Sequence, residues 1–198
     1  SSFFLSFIYC FEPLNKQRFY LQKNKKINNL NNLYVSNRAL FNLKDKKLYI
    51  KERKKDDGDI SLTTQKNIKT KFFYTDTLDS FVYKKKIKEI DVLMIDVEGN
   101  ELNVLLGAQN LIKNNNLKNI IFEIHSKYVN WRKGLKNTSI IKLLLKYGYN
   151  IYSIRDYHSN IKLKNKVELL SLKNTYLEGP DHGFNLIATK DKTLLSNK

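Results

Sequence analysis

The spacing of hydrophobic positions along the chain predicts strands that alternate with helices. Short apolar runs between polar turns favour strands, and apolar residues that recur every three or four positions favour helices. The predicted strands are Ile8–Phe11, Leu33–Leu40, Lys47–Lys51, Lys71–Tyr74, Asp91–Ile95, Asn119–Ile124, Asn150–Ile154 and Phe184–Thr189. The predicted helices are Leu14–Ile27, one that follows an N-cap at Thr77 and ends near Lys86, Asn100–Asn114 and Ser139–Tyr147.

The order of these elements predicts the class of fold. Strands that alternate with helices fit right-handed crossovers between parallel strands. Asp91–Ile95 is apolar after its first residue, a pattern typical of strands that are covered on both faces. We therefore predict one α/β domain over residues 1–198, built on a doubly wound, mostly parallel sheet. Ligands of such sheets bind beyond the carboxyl ends of the strands.

Composition and charge exclude some classes of protein. The 198 residues are 41% hydrophobic, which argues against a disordered chain. The formal net charge is +17, yet only 5 of the 36 basic residues are arginine. Proteins that read nucleic acids favour arginine, because its guanidinium pairs with phosphate or guanine through two bonds. A nucleic-acid partner therefore stays an alternative that the charge alone does not favour.

The single cysteine and the longest apolar run bear on the compartment. Cys10 cannot form an internal disulfide, which favours a reducing, cytoplasmic environment. The longest apolar run, Phe3–Phe11, is shorter than the roughly 20 residues that a membrane-spanning helix needs.

Glu12 is the first candidate for a binding residue, because it directly follows the strand Ile8–Phe11. A carboxylate at this place can accept hydrogen bonds from both vicinal hydroxyls of a ribose. The alternative is an exposed acid that faces the N-terminal dipole of the next helix.

A second candidate is the acidic run that follows the strand Asp91–Ile95. Asp96, Glu98 and Glu101 lie within six residues in an otherwise basic protein. These carboxylates can offset a cationic ligand, bind Mg²⁺ or Ca²⁺, or accept a proton as a general base. Alternatively, Asp96 caps the loop and Glu101 only favours the start of the next helix.

A third candidate is the pair at the end of the strand Asn119–Ile124. Glu123 and His125 share one face of that strand, because side chains alternate along it. His125 is then a candidate base oriented by a carboxylate, or else a hydrogen-bonded structural residue. The three histidines and one cysteine are too widely separated to indicate a metal site, and nothing distinguishes His158 or His182.

Several of these segments resemble the FkbM-type methyltransferases. Residues Ile90–Glu101, with Asp96-Val97-Glu98-Gly99 at their centre, are similar to the signature block of that family, and Val104–Ala108 continues it. The segment Ile121–His125 follows at the family's spacing. Tyr9–Pro13 resembles the acidic motif of the family's second strand, and Asn24, Asn28–Asn32, Ala39-Leu40 and Thr77–Asp79 match further segments. The resemblance covers roughly residues 8–190.

The resemblance implies a class I, Rossmann-like methyltransferase that uses S-adenosylmethionine. By this resemblance Glu12 holds the cofactor ribose, Arg38 and Ala39 border the adenine, and Asp96 lies near the methionine end or the acceptor. The acceptor is then an oxygen of a sugar or another small polar molecule. Asp96, Glu98 and His125 are the candidates for the catalytic residues, with no choice made among them.

One expected part of the family's fold does not match. The first strand and its Gly-rich loop should precede Phe11-Glu12-Pro13, but only seven residues precede Ile8 and none is glycine. We therefore expect an incomplete copy that lacks the N-terminal strand and binds S-adenosylmethionine poorly. The alternatives to an active methyltransferase are a basic nucleic-acid-binding or RNA-modifying domain and a non-catalytic remnant.

Overall fold

A computed structural model describes residues 6–51, 61–63, 71–154, 169–171 and 183–191. In these residues the strands are β1 (Ile8–Phe11), β2 (Leu33–Ser36), β3 (Ala39–Leu40), β4 (Lys47–Lys51), β5 (Ser61–Thr63), β6 (Phe72–Asp76), β7 (Ile90–Ile95), β8 (Leu117–His125), β9 (Asn150–Ile154), β10 (Leu169–Ser171) and β11 (Gly183–Thr189). The helices are α1 (Asn15–Ile27), α2 (Leu78–Lys85), α3 (Glu101–Leu106), α4 (Gln109–Lys113) and α5 (Ser139–Lys146), with a 3-10 turn at Leu135–Asn137.

The strands of the described residues form three sheets. The strand β1 pairs in parallel with β2, and a second sheet has the order β3-β6-β4-β5. The largest sheet has the order β10-β9-β11-β8-β7, in which only the β7–β8 pair is parallel. The predicted α/β class is confirmed. A single doubly wound, mostly parallel sheet is not confirmed, because these sheets are mixed.

The main core lies on one face of the five-stranded sheet. Ile95 of β7, Phe122 of β8 and Leu186 of β11 are almost fully buried there. They belong to one cluster with apolar side chains of α2, α3, α4 and α5. These four helices therefore cover the same face of the sheet and fix where its strands end.

The opposite face of β7 is open. Val92 is 55% exposed and Met94 is 71% exposed, whereas Ile95 is 3% exposed. The prediction that Asp91–Ile95 is covered on both faces is therefore wrong. An uninterrupted apolar run does not show what packs against it, and the helices that pack against this strand all lie on the Leu93 and Ile95 side.

The predicted helix Asn100–Asn114 is divided into α3 and α4. The break comes at Gly107, where a Cβ would overlap the backbone carbonyl oxygen of Phe41. Asp79 then caps the second helix, because its Oδ2 accepts from the N–H of Asn110 at 2.9 Å and its Oδ1 from the N–H of Leu111 at 3.1 Å. These contacts come from residues distant in sequence, so helical periodicity alone could not reveal the break.

The predicted strand Leu33–Leu40 is also divided. Its first half, β2, pairs with β1, whereas its second half, β3, pairs with β6 in another sheet. The chain changes sheets at Asn37 and Arg38. A continuous β-prone segment therefore serves two sheets, which the hydrophobic pattern does not distinguish.

The pair β1–β2 contacts the main body through α2. The ring of Phe81 lies 5.2 Å from that of Tyr9 and 4.8 Å from that of Phe11, both on β1. Leu78 and Val82 of the same helix lie in the main core. In α1 no residue is buried. None of the helices in the described part of the chain has the length and apolar character needed to cross a membrane.

Candidate functional site

The parallel pair β7–β8 brings two candidate segments to one edge of the sheet. Ile95 lies opposite Phe122 in the register, so Asp96 leaves β7 beside the end of β8. His125 is the last residue of β8. The acidic loop and the end of β8 are therefore neighbours, as the sequence predicted for parallel strand ends.

Glu101 organises the loop from inside. Its side chain is 6% exposed, and its Oε1 accepts from the N–H of Val97 at 3.3 Å and from the N–H of Gly99 at 3.1 Å. Burial raises the pKa of this carboxyl, against the lowering effect of the backbone N–H groups. From the sequence, Glu101 was a candidate ligand-binding or proton-accepting acid together with Asp96 and Glu98, or else a residue that favours the helix start. Its position three residues after Glu98 was the available signal for a loop-closing acid.

Tyr128 fixes the same loop from outside. Its hydroxyl donates a hydrogen bond to Oε2 of Glu98 at 3.1 Å, and its ring covers Gly99, where a Cβ would lie 2.6 Å from its Cγ. Glu98 has a φ of 52° and Gly99 a φ of 93°. A left-handed backbone is unfavourable for a glutamate, so the surrounding contacts must hold it. The contact between Tyr128 and Glu98 joins residues 30 positions apart, so the sequence alone did not reveal it.

Asp96 is the acid of this loop that faces solvent. It is exposed, and no hydrogen bond joins its carboxylate to another described residue. Its negative charge also raises the pKa of Glu101, as the smallest of several effects. Neither oxygen of this carboxylate is therefore engaged by a hydrogen bond within the described part of the chain.

His125 is hydrogen-bonded to the turn that follows β8. Its Nδ1 accepts from the backbone N–H of Lys127 at 3.1 Å, and its ring lies 5.7 Å from that of Tyr128. A neutral imidazole that accepts at Nδ1 carries its proton on Nε2. The role of His125 as a base stays a prediction.

Glu12 lies at the carboxyl end of β1 and is half-buried. Its Oε1 accepts from the N–H of Leu14 at 2.7 Å, and its backbone carbonyl accepts from Arg18 at 2.9 Å. These contacts fix the turn into α1. Among the described residues, no hydrogen bond or ion pair joins Glu12 to the acidic loop.

Arg38 and Ala39 belong to the second sheet. Arg38 donates to Oδ1 of Asp45 at 2.5 Å and to the carbonyl of Thr75 at 2.9 Å. Ala39 is 5% exposed and lies opposite Thr75 in the β3–β6 pair. The structure therefore brings Asp96, Glu98 and His125 together, while no described hydrogen bond or ion pair links Arg38 or Ala39 to them. The proposed roles of all these residues stay predictions.

No group of three or more His, Cys, Asp or Glu among the described residues is arranged to hold a metal ion. His158 and His182 lie outside the described residues.

Comparison with known proteins identifies the family. A family model described as the methyltransferase FkbM domain matches residues 6–151, which is more than half of the chain. No curated protein and no solved structure matches the chain. The match includes β1, the acidic loop, Tyr128 and β8. The chain therefore belongs to the FkbM methyltransferase family, and its activity is methyl transfer.

Proposed function

We propose that the chain transfers a methyl group from S-adenosylmethionine to an oxygen of a sugar or another small polar acceptor. The observation that carries the proposal is the loop Asp96–Glu101. It lies at the carboxyl end of the parallel pair β7–β8, inside the matched family domain. Its backbone is held by Glu101 and Tyr128, while Asp96 stays exposed.

The acids suit the polar parts of the proposed methyl donor. A half-buried carboxylate such as Glu12 matches a pair of ribose hydroxyls, and an exposed one such as Asp96 matches a cationic sulfonium or ammonium. Arg38 and Ala39 are proposed to border the adenine, by the family resemblance alone. When bound, S-adenosylmethionine supplies a methyl group already activated by its positive sulfur.

The residues of the chain then have to orient the acceptor. Glu98 is hydrogen-bonded to Tyr128, and His125 lies at the same edge of the sheet. A hydroxyl acceptor aligned between such groups can lose its proton to a carboxylate. We propose Asp96 as that base, because its carboxylate makes no hydrogen bond to other described residues, with Glu98 and His125 as groups that position the acceptor.

We propose further that the two parallel pairs, β1–β2 and β7–β8, belong to one doubly wound sheet. Among the described strands, β1 and β7 each pair on one side only. Helix α2 contacts both, through Phe81 on one side and through Leu78 and Val82 on the other. In this proposal a further strand with a Gly-rich loop lies between them, and the backbone N–H groups of such a loop would contact the methyl donor.

The compartment is proposed from one residue. Cys10 is a free cysteine, so the chain needs no oxidising environment. We therefore propose the cytoplasm, with a small polar acceptor as the partner of the methyl-transfer site.

A methyl-transfer assay tests the proposal. The chain is incubated with methyl-labelled S-adenosylmethionine and a panel of sugars and small hydroxyl compounds, and labelled product is counted. We expect slow transfer to at least one acceptor. The variant Asp96→Asn should lower the rate by about 100-fold, as for loss of a general base. The matched control is Asp91→Asn, an exposed acid of β7, which should leave the rate unchanged.

Two results would contradict the proposal. Transfer that is equally fast in Asp96→Asn would remove Asp96 from the reaction, and transfer that is equally fast in Glu12→Ala would remove the ribose contact. If no acceptor takes up label at any concentration of S-adenosylmethionine, the non-catalytic alternative is favoured.

A further inference from the structure

One face of the β3-β6-β4-β5 sheet carries aromatic rings that the methyl-transfer proposal does not use. The antiparallel register places Tyr49 opposite Phe72 and Lys47 opposite Tyr74. Because side chains alternate along a strand, these four lie on the same face, while Leu48 lies on the other and is 1% exposed. The two faces of this small sheet are therefore chemically different.

The three rings are neighbours, with Phe72 tilted against Tyr49 and edge-to-face with Tyr74. The centroids of Tyr49 and Phe72 are 6.2 Å apart, and those of Phe72 and Tyr74 are 5.5 Å apart. Phe72 is 43% exposed and Tyr74 is 46% exposed. Cross-strand packing accounts for the contacts between the rings. It does not account for large apolar rings that remain open to solvent beside one another.

Two cations lie directly at these rings. The Nζ of Lys47 is 4.4 Å from the centroid of Phe72 and 6.0 Å from that of Tyr74, and the Cζ of Arg38 is 6.0 Å from that of Tyr74. We use the name aromatic face for the set of three rings and two cations: Arg38, Lys47, Tyr49, Phe72 and Tyr74. Both cations therefore lie over rings, in cation–π geometry. A ligand that is both flat and anionic would replace the cations on the rings and pair with their charge.

We propose that the aromatic face binds single-stranded nucleic acid. Sequence-tolerant binding of single strands combines aromatic side chains, on which bases stack, with cations that contact the phosphates. Here Phe72 and Tyr74 offer the stacking surfaces, and Lys47 and Arg38 offer the charges. The overall charge did not indicate such a site, because the pairing of cations with rings is visible only when β4 and β6 are aligned.

The charges around the rings favour this ligand over a neutral sugar or a membrane. The segments 38–49 and 71–76 hold five basic residues, Arg38, Lys44, Lys46, Lys47 and Lys71. Of these, Lys47 and Arg38 lie at the rings themselves. The acids are Asp45, which pairs with Arg38, and Asp76, which is 4% exposed and pairs with Lys84. A neutral sugar would not use this excess of positive charge. Rings arranged along a sheet face also suit flat bases better than lipid tails.

Binding of a labelled oligonucleotide tests the proposal. Fluorescence anisotropy of a short labelled oligouridylate is measured with the 198-residue chain at low salt. We expect Phe72→Leu and Tyr74→Leu each to weaken binding by about 5-fold or more, because a base loses its stacking partner. Phe72→Tyr keeps the ring and should restore binding. The control is Tyr83→Leu, because Tyr83 is 85% exposed on α2, outside the aromatic face.

The salt dependence tests the role of the cations. Each phosphate contact on a single strand contributes about 0.7 to the slope of log affinity against log salt. Two contacts predict a slope near 1.4 in magnitude, and Lys47→Gln should reduce it by about 0.7. The control Lys142→Gln, on the exposed side of α5, should leave the slope unchanged.

Clear results would overturn the proposal. The site is excluded if oligouridylate does not bind at low salt. It is also excluded if both leucine variants bind oligouridylate as tightly as the parent chain does. The proposal is also overturned if a neutral oligosaccharide or phosphatidylserine vesicles bind more strongly than oligouridylate and that binding depends on Phe72. Thermal unfolding of each variant shows whether it folds, and Lys47→Gln gives an independent answer because its side chain is solvent-exposed. Asp96→Asn should not affect oligouridylate binding, which separates this surface from the methyl-transfer site.

Discussion

Glu101 shows what one buried carboxylate does at the scale of a residue. It accepts from two backbone N–H groups of the loop, and these groups would otherwise be unpaired beside the core. The loop can therefore take the left-handed conformation at Glu98 and Gly99 that presents Asp96 to solvent. Glu101 positions the site rather than acting on the acceptor.

Replacement of Glu101 measures that role. We expect Glu101→Ala to lower the free energy of unfolding by about 2 kcal/mol, because two N–H groups lose a charged acceptor in a buried place. Glu101→Gln keeps one oxygen and should lose less. Urea unfolding gives both values, and the control is Glu89→Ala, which removes only an exposed partner of Lys118. Equal losses in Glu101→Ala and Glu89→Ala would contradict the assignment.

The same carboxyl predicts a pH dependence. Burial raises the pKa of Glu101 above its ordinary value of 4.5. The folded protein therefore binds more protons than the unfolded chain at a pH between the two values, and its free energy of unfolding falls as the pH rises through this window. Because Glu101→Gln cannot titrate, we expect the parent chain to lose stability relative to this variant from pH 4.5 upward. Urea unfolding at several pH values measures the difference, and a constant difference would disprove the prediction.

The close contact between Gly99 and Tyr128 predicts that a larger side chain at position 99 destabilises the fold. A Cβ at Gly99 meets both a positive φ and the Tyr128 ring, whereas Gly148 has a φ of 79° and nothing within 4 Å of an added Cβ. Gly148→Ala therefore measures the backbone cost alone, about 1 kcal/mol. We expect Gly99→Ala to cost about 1–3 kcal/mol more, and Tyr128→Ala in the same chain to recover part of that excess. Thermal unfolding gives these values, and equal costs at the two glycines would show that Tyr128 does not press on the loop.

At the scale of the element, the helix after the acidic loop depends on contacts from distant segments. Its division into α3 and α4 follows from Phe41 at Gly107 and from Asp79 at the start of α4. The N-cap at Thr77, by contrast, was predicted from sequence and is confirmed, since its Oγ1 accepts from the N–H of Ser80 at 3.1 Å. The helix predicted over Ser139–Tyr147 is α5, which ends at Lys146 shortly before Gly148, a glycine with a positive φ.

These cases show why some elements could be predicted and others could not. Helix caps and helix ends depend on neighbouring residues, so Thr77 and Gly148 can be recognised from a few residues of sequence. The break at Gly107 and the change of sheet at Arg38 depend on segments far away in sequence, which a hydrophobic pattern does not contain. The same holds for the site, because the acids were visible in sequence, whereas the contact of Tyr128 with Glu98 needed the fold.

The capping of α4 by Asp79 predicts how replacing this residue changes the free energy of unfolding. Asp79→Ala leaves the N–H groups of Asn110 and Leu111 without their acceptor, and we expect a loss of about 1–2 kcal/mol in the free energy of unfolding. Asp79→Asn should lose about half of that. The control is Asp91→Ala, because the Asp91 side chain is 82% exposed and pairs only at the surface. Chemical denaturation that gives the same midpoint for both alanine variants would contradict the cap.

At the scale of the whole molecule, the described sheets are unevenly covered. Helices α2 to α5 cover one face of the five-stranded sheet, while Val92 and Met94 on the other face stay exposed. The pair β1–β2 contacts the rest through Phe81 of α2. The acids of the proposed donor site are therefore held on two parts of the molecule, Glu12 on one and Asp96 on the other.

This separation predicts weak binding of the methyl donor. Backbone N–H groups from a Gly-rich loop grip the cofactor in doubly wound sheets, and the described residues offer no such loop between β1 and β7. We expect calorimetric titration of the chain with S-adenosylmethionine to give an affinity weaker than micromolar. Glu12→Ala and Asp96→Ala should each weaken it further, while Glu89→Ala should not. Micromolar binding that survives both substitutions would show that the donor is held by other residues, and the division of the site between β1 and β7 would then be wrong.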